Sequence, residues 1–370
     1  MDKTTRPVKV IIFAGGVGTR MWPMSRKNHP KQFQELVGDQ SMFQSTVKRI
    51  LSEFAPDDVF ISTGKEYTRY VKKQAPTIPI QNIIAEPVRR DTLGAVGLAN
   101  LFVHHQFPDA IVVAIWGADH IVKDTKEFDK AIKAAAKYSA ETNKLVKLDV
   151  KPTFASIHNG WVKLGHKLET KHDYKIYEFL RFIEKPNEAK AKKLFNSRKY
   201  LINTGYLVWP AALMHQLFKE HQPHAYKLLE EIKLHIGKSD QDQAIAQLYP
   251  SFEKTSIDYG IFEHLCNKNT VIIPVDIGWT DVGTWELLYE GIADNPRKDN
   301  LTKGMVELVD TKRSIVYSTQ ADKVTAVIGL DGIIIVDTKD GLVVCAMNES
   351  DKIKKLVDKM KDDNKTVKYI

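Results

Sequence analysis

Three cations crowd one glycine-rich stretch: Arg20, Arg26 and Lys31 all fall within seventeen residues of Gly15. The run Gly15-Gly16-Val17-Gly18-Thr19-Arg20 directly follows the apolar segment Val8–Ala14. Glycines in such a loop let backbone N–H groups approach phosphate oxygens more closely than a residue with a side chain permits. The spacing is not the GxxxxGK[ST] of a Walker loop. It is not the dinucleotide fingerprint either, because Gly16-Val17-Gly18 is followed three residues on by Met21. Pro23 and Pro30 stiffen the stretch, so its cations lose less entropy when they meet an anion. A solvated basic loop is the plain alternative. Glycines, prolines and three cations together after a buried strand favour a polyphosphate site over it.

Carboxylates recur at comparable places. Asp119 comes just after the apolar run Ala110–Trp116, and Asp281 a few residues after Val271–Ile277. An isolated Asp after a strand commonly caps a turn or helix. Glu184 and Lys185 stand side by side before Pro186. Neighbours on a regular strand face opposite ways, so both reach one ligand only if the strand ends there; otherwise they form a surface ion pair of little value.

The elements that must position these residues alternate. Val8–Ala14, Val59–Ser62, Asn82–Ala85 and Ala110–Trp116 read as buried strands, being continuously apolar or nearly so. Helices are expected at Ser41–Glu53, Glu66–Gln74, Thr92–His105 and Lys126–Glu141, with Thr92 capping the third. This alternation predicts an α/β fold, a mostly parallel sheet flanked by helices, whose ligands bind beyond the carboxyl ends of the strands. Strands at Lys144–Pro152, Tyr174–Phe182 and Val271–Ile277 follow, with a short helix at Glu188–Phe195, two or three helices within Ala211–Leu248 and one near Thr284–Ala293. The polar stretch Asp294–Lys303 marks a boundary. Beyond it come strands without intervening helices, from Met305–Val309 to Leu342–Ala346, and a charged amphipathic helix at Asp351–Lys361.

At 370 residues and 42.1 kDa the chain has room for two or three domains. Its 43% apolar and 27% charged residues exclude wholesale disorder. The two cysteines, Cys266 and Cys345, form no CxxC pair, so a disulfide framework is not expected and a reducing cytoplasm is. Val10–Ala14 is too brief for a leader core and Ala110–Trp116 for a membrane helix, so a soluble protein is expected. A net charge of +8 suits an anionic partner. Residues 1–40 hold seven basic and three acidic side chains, and residues 181–200 hold seven and two. The excess thus gathers around the glycine loop and Glu184-Lys185, which favours phosphorylated small molecules over nucleic acid or membrane.

Ala14-Gly-Gly-Val-Gly-Thr-Arg-Met-Trp-Pro-Met-Ser-Arg26 with Pro30-Lys-Gln-Phe33 resembles the signature of the sugar-1-phosphate nucleotidyltransferases, in the form carried by mannose-1-phosphate guanylyltransferases. Glu86-Pro87 with Arg90-Asp91-Thr92, Ala118-Asp-His120, Phe182-Ile-Glu-Lys-Pro186, Asn203-Thr-Gly205, Ser256-Ile-Asp-Tyr259 and Trp279-Thr-Asp-Val-Gly-Thr-Trp285 match in order. The resemblance spans nearly the whole chain. It implies a Rossmann-like catalytic domain over 1–293 and a strand-rich tail over 294–370 that resembles a short β-helix and makes a homodimer. It further implies transfer of GMP from GTP to mannose 1-phosphate, with Mg²⁺ or another divalent cation on Asp119 and Asp281. By the same resemblance Arg20 contacts the leaving phosphates and Lys31 the α-phosphate or sugar phosphate. Gly15, Gly16, Gly18, Thr19, Arg90, Asp91, Gly117 and Asp119 then take the nucleotide, and Gly160, Glu184, Lys185, Asn203 and Gly205 the sugar phosphate. Arg26 is a third phosphate contact or a surface cation, and His120 packs or orients. Another sugar (manno-heptose or glucose), another base, or a non-catalytic regulatory relative is the alternative. Ala155–Trp161 departs from the family pattern, and a fused isomerase domain is not expected.

Overall fold

The computed structural model describes residues 6–16, 18–265 and 269–370. Val17 of the glycine loop and Cys266 lie outside the described residues, and with Cys266 goes the expectation about cysteine pairing; Cys345 is a free thiol. Among the described residues no helix is long and apolar enough to cross a membrane.

Continuously apolar strands need cover on both faces, and the first of two compact units supplies it. That unit takes the chain through Gly15, Val47–Ala118 and Val122–Gly278. Its strands are β1 (Val8–Phe13), β2 (Val59–Gly64), β3 (Ile83–Glu86), β4 (Ile111–Trp116), β6 (Leu145–Val150), β7 (Trp161–Lys171), β8 (Tyr174–Ile183), β9 (Tyr200–Pro210) and β10 (Thr270–Val275); the short β5 (His120–Val122) pairs elsewhere. They form one sheet in the order β3-β2-β1-β4-β9-β6-β10-β8-β7. β1 lies parallel to β2 and β4, and β10 to β6, while β9 runs antiparallel between β4 and β6. The helix Asp91–Gln106 is buried along most of its length, so it reads as apolar all round rather than as a stripe. It packs with the helices Ala211–His221 and Pro223–Lys233 over Ile11, Val112 and Trp209.

Two eleven-residue strands exceed what the pattern predicts. β9 contains Asn203-Thr204-Gly205, residue types that read as a turn, and Gly205 indeed takes a φ of +74° inside the strand. β7 is apolar and buried only at Trp161 and Val162, its remainder being held by pairing with β8. Thr92 is not the helix cap it was expected to be. It lies inside the first turn, and its Oγ1 accepts a hydrogen bond from the Ile257 N–H at 2.9 Å instead.

The second unit gathers Gly16–Thr46, Asp119–Ile121 and Trp279–Ile370. β5 pairs with β11 (Trp279–Asp281). Its tail strands are β12 (Leu301–Lys303), β13 (Val306–Val309), β14 (Ile315–Ser318), β15 (Thr325–Ile328), β16 (Ile333–Thr338) and β17 (Gly341–Ala346). β12, β14 and β16 stack in parallel, as do β13 and β15, and antiparallel β17 closes the stack. Parallel rungs joined by short turns are the geometry of a short β-helix. Its core is shared with the signature loop: Met21 and Trp22 pack with Val282, Trp285, Ile315, Ile334 and Ile353. Trp22 Nε1 donates to the Tyr369 carbonyl at 2.9 Å. Arg26 grips Asp340 through two nitrogens at 2.6 and 2.5 Å and donates to the Pro23 carbonyl. Arg26 is thus not a solvated cation: it anchors its loop to the β16–β17 turn.

Candidate functional site

The second unit holds the four expected catalytic residues, Arg20, Lys31, Asp119 and Asp281, with Gly16, Gly18, Thr19 and His120. Gly18 opens the turn at Thr19–Met21 with a φ of +69°, and a Cβ there would lie 2.7 Å from Cγ and Cδ of Lys31. Only glycine lets the loop lie on the lysine stem. Lys31 follows Pro30 in the turn Lys31–Phe33, and its ammonium donates to the Val282 carbonyl at 2.6 Å. It also lies 2.6 Å from Asp119 Oδ2, in a pair that is mostly buried. Burial pulls the Lys31 ammonium down, but Asp119 and Asp281 together outweigh it and hold it above its ordinary value. Burial likewise pushes Asp119 up, and the charges of Lys31 and His120 bring it below the usual carboxylate range. Arg20 stands beside Asp351, with Nε 3.6 Å from Oδ1.

One ligand atom each from Asp119, His120 and Asp281 lies within 4.8 Å of the others. β5 and β11 bring them there, since Asp281 ends β11 and His120 begins β5. Two carboxylates with open oxygens fit a divalent cation that keeps water and takes further oxygens from phosphates. Lys31 limits the net charge of the pair to that of a weak site. His120, expected to pack or orient, has its ring edge-on to Trp279 at 5.2 Å, with a ring nitrogen within 4.8 Å of an oxygen of each carboxylate.

The first unit holds the other set. β8 ends at Ile183, so Glu184 and Lys185 lie just past the strand, and they form the ion pair that was the plainer expectation, 2.8 Å apart with the lysine largely exposed. A Cβ on Gly160 would lie 2.9 Å from Glu184 Oε2, so Gly160 leaves room for that carboxylate. Asn203 donates its N–H to the Gly160 carbonyl at 2.9 Å. Gly205 is needed because a Cβ there would lie 2.5 Å from Cβ of Trp116. Gly117 takes a φ of +76° where the chain leaves β4. Arg90 donates to the Pro250 carbonyl, and Asp91 accepts from the Thr92 N–H at 2.7 Å. Gly15 closes this unit's first segment, and Gly16, Thr19 and Gly18 belong to the other unit.

Two polar residues of this set lie in no motif, and two from motifs were given no role. Lys147 and Asp149 share one face of β6, two apart, and both are buried. Lys147 bonds Asn203 Oδ1 at 2.7 Å. Asp258, from the Ser256–Tyr259 motif, is pushed up to about 6 by burial, with Glu184 adding to the rise and Lys147 opposing it. Glu86, at the end of β3, is pushed up to about 7 by burial although Tyr249 donates to it at 2.7 Å. Opposite charges at i and i+2 in an otherwise apolar strand were the one signal available for Lys147 and Asp149.

Asp149 gives a pH prediction. Burial raises its carboxyl from 3.8 to about 6, Lys147 opposing, and Oδ2 lacks a hydrogen bond. The folded form therefore holds the proton more tightly. Its contribution is intact below pH 3.8 and is lost as pH rises through about 6. Asp149→Asn should gain on the unmodified protein by about 1–3 kcal/mol between pH 4 and 7, read from urea unfolding. A constant difference across that range contradicts the assignment.

Comparison with known proteins bears on all of this. A family model described as Nucleotidyl transferase matches residues 9–298, and one described as MannoseP isomerase/GMP-like beta-helix domain matches 304–360. Mannose-1-phosphate guanylyltransferase RfbM of Salmonella typhimurium is 32% identical over 363 residues, which cover 96% of this chain and 73% of the relative. A mannose-1-phosphate guanylyltransferase of Salmonella montevideo is 34% identical over 361 residues, covering 96% and 74%. A crystal structure titled a mannose-1-phosphate geranyltransferase, from Thermus thermophilus, superposes with a TM-score of 0.84 over 96% of this chain and 100% of its own, at 24% identity. That likeness supports the fold.

Proposed function

The chain belongs to the nucleotidyl transferase family, among its sugar-1-phosphate members with a β-helix tail, and from that premise we propose that it transfers GMP from GTP to α-D-mannose 1-phosphate. The observation that carries the reading is the Lys31–Asp119 pair beside Asp281, two carboxylates around a buried cation whose stem packs on Gly18 of the glycine loop. The attacking group is the sugar phosphate, largely ionised at neutral pH because its second pKa is near 6. No general base is needed, and His120 is not one.

What remains for the protein is in-line positioning and neutralisation of charge at the attacked phosphorus. Lys31, fixed at its ammonium by Val282 and along its stem by Gly18, presents a preorganised positive charge. Arg20 takes the departing pyrophosphate. Asp119 and Asp281 would hold a divalent cation such as magnesium, which would supply Lewis-acid neutralisation of phosphate charge. Glu184 and Asn203 meet sugar hydroxyls and Lys185 the sugar phosphate, while Gly16, Arg90 and Asp91 meet the nucleotide. Guanine is proposed over other bases from the signature of the relatives, not from a contact in the fold.

Pyrophosphate release with Mg²⁺, measured across the four NTPs and several hexose 1-phosphates, tests the reading. Turnover is expected to be greatest with GTP and mannose 1-phosphate. A preference for UTP or dTTP overturns the guanylyl assignment, and no turnover with any pair overturns the function.

A further inference from the structure

Lys147 is a buried cation that no signature motif includes. It stands in mid-strand on β6: Val146 and Leu148 on either side belong to the core, and Lys147 itself is 3% exposed. Burying an ammonium is costly unless it is paired. Even so, among the described residues it makes no ion pair within 4.0 Å. Its hydrogen bond goes to a neutral amide, Asn203 Oδ1, at 2.7 Å, with the Phe182 and Phe262 rings 5.9 and 5.8 Å away.

That choice of partner has a chemical consequence. An ammonium carries three donors and no acceptor, so only the oxygen of the amide can face it. The orientation of Asn203 is thereby set by chemistry, not by how an amide is assigned. Its NH₂ must point elsewhere, and the Asn203 backbone is fixed by its own bond to the Gly160 carbonyl at 2.9 Å. The ionised carboxylates of this set, Glu184 and Asp258, can only accept hydrogen bonds. A hydroxyl oxygen that meets a neutral donor needs the Asn203 NH₂.

We infer that Lys147 is a positioning residue: it holds Asn203 as a fixed hydrogen-bond donor toward one sugar hydroxyl and so helps to set which sugar 1-phosphate is accepted. The inference rests on the proposed contact between Asn203 and the sugar. Were Lys147 only a counter-charge for Asp149 and Asp258, its loss would affect stability and every sugar alike.

Lys147→Met keeps the aliphatic stem and removes the donor. The Michaelis constant for mannose 1-phosphate should rise about tenfold, the worth of one good hydrogen bond, with that for GTP little changed. Mannose 1-phosphates lacking one ring hydroxyl at a time supply the decisive arm. In the unmodified protein the loss of one particular hydroxyl costs about tenfold, and in Lys147→Met that penalty shrinks to about twofold or less while the others persist. Asn203→Asp keeps a partner for Lys147 but removes the donor, and it should erase the same penalty even if Lys147→Met fails to fold. Unchanged penalties in both variants, or different hydroxyls affected in each, overturn the inference. Absence of turnover by the unmodified protein with every pair overturns the proposed function and this inference with it, so the two failures are distinguishable.

Discussion

Lys31→Met is expected to lower pyrophosphate release by about 10²–10³-fold while the protein stays folded, the loss typical of removing one preorganised electrostatic contact. The ammonium is held by Val282 and Asp119, both at 2.6 Å, and Gly18 closes over its stem. It therefore has little freedom to reorganise as charge develops on the phosphates. Methionine fills the space of the stem and leaves the Val282 carbonyl without its donor, at a cost of about 1 kcal/mol. It also leaves Asp119 and Asp281 facing each other without their cation, which favours a divalent ion. Affinity for Mn²⁺, measured by calorimetry without nucleotide, should accordingly rise as turnover falls. A near-normal kcat contradicts the role given to Lys31, and parallel losses of affinity and turnover make it a structural prop of the carboxylates.

Asp281→Asn and Asp119→Asn are each expected to lower turnover by about 10³-fold, on the same electrostatic scale. They differ in what they do to the fold. Asp119 is the ion-pair partner of Lys31, with side-chain exposures of 16% and 11%. Its amide leaves a buried ammonium less well compensated, and we expect a stability loss of about 1–3 kcal/mol, below the full value for a wholly buried pair. Asp281→Asn leaves that pair intact, so its urea midpoint should stay near that of the unmodified protein. Normal turnover of Asp281→Asn at saturating Mg²⁺ refutes the metal assignment outright.

The glycine loop, the paired carboxylates and Glu184-Lys185 are legible in the chain because their chemistry is carried by short contiguous motifs at strand ends. The buried strands are legible for a related reason: full burial makes β1 and β4 apolar throughout. β9 is harder, since Asn203-Thr204-Gly205 suits a turn as well as a strand that must pass close to Trp116. Lys147 and Asp149 are hidden differently. A strand is recognised by its apolar residues, and charges within it read as interruptions until pairing with β9 brings Asn203 and Thr204 beside them. Arg26 carries the opposite lesson: a cation beside a phosphate loop invites a ligand role, whereas its partner Asp340 lies 314 residues away and is invisible to any local pattern.

The second unit joins residues from distant parts of the chain, and this sets a timetable for synthesis. Lys31 waits for Val282, 251 residues later, and Trp22 for Tyr369, 347 residues later. At about 5–20 residues per second, the signature loop emerges tens of seconds before it has anything to close upon. The β1–β4 part of the sheet draws on earlier residues and is available to fold in that interval. During translation the glycine loop is thus exposed with its partners unmade, and a nascent chain acquires its buried cation only after Val282 has been made.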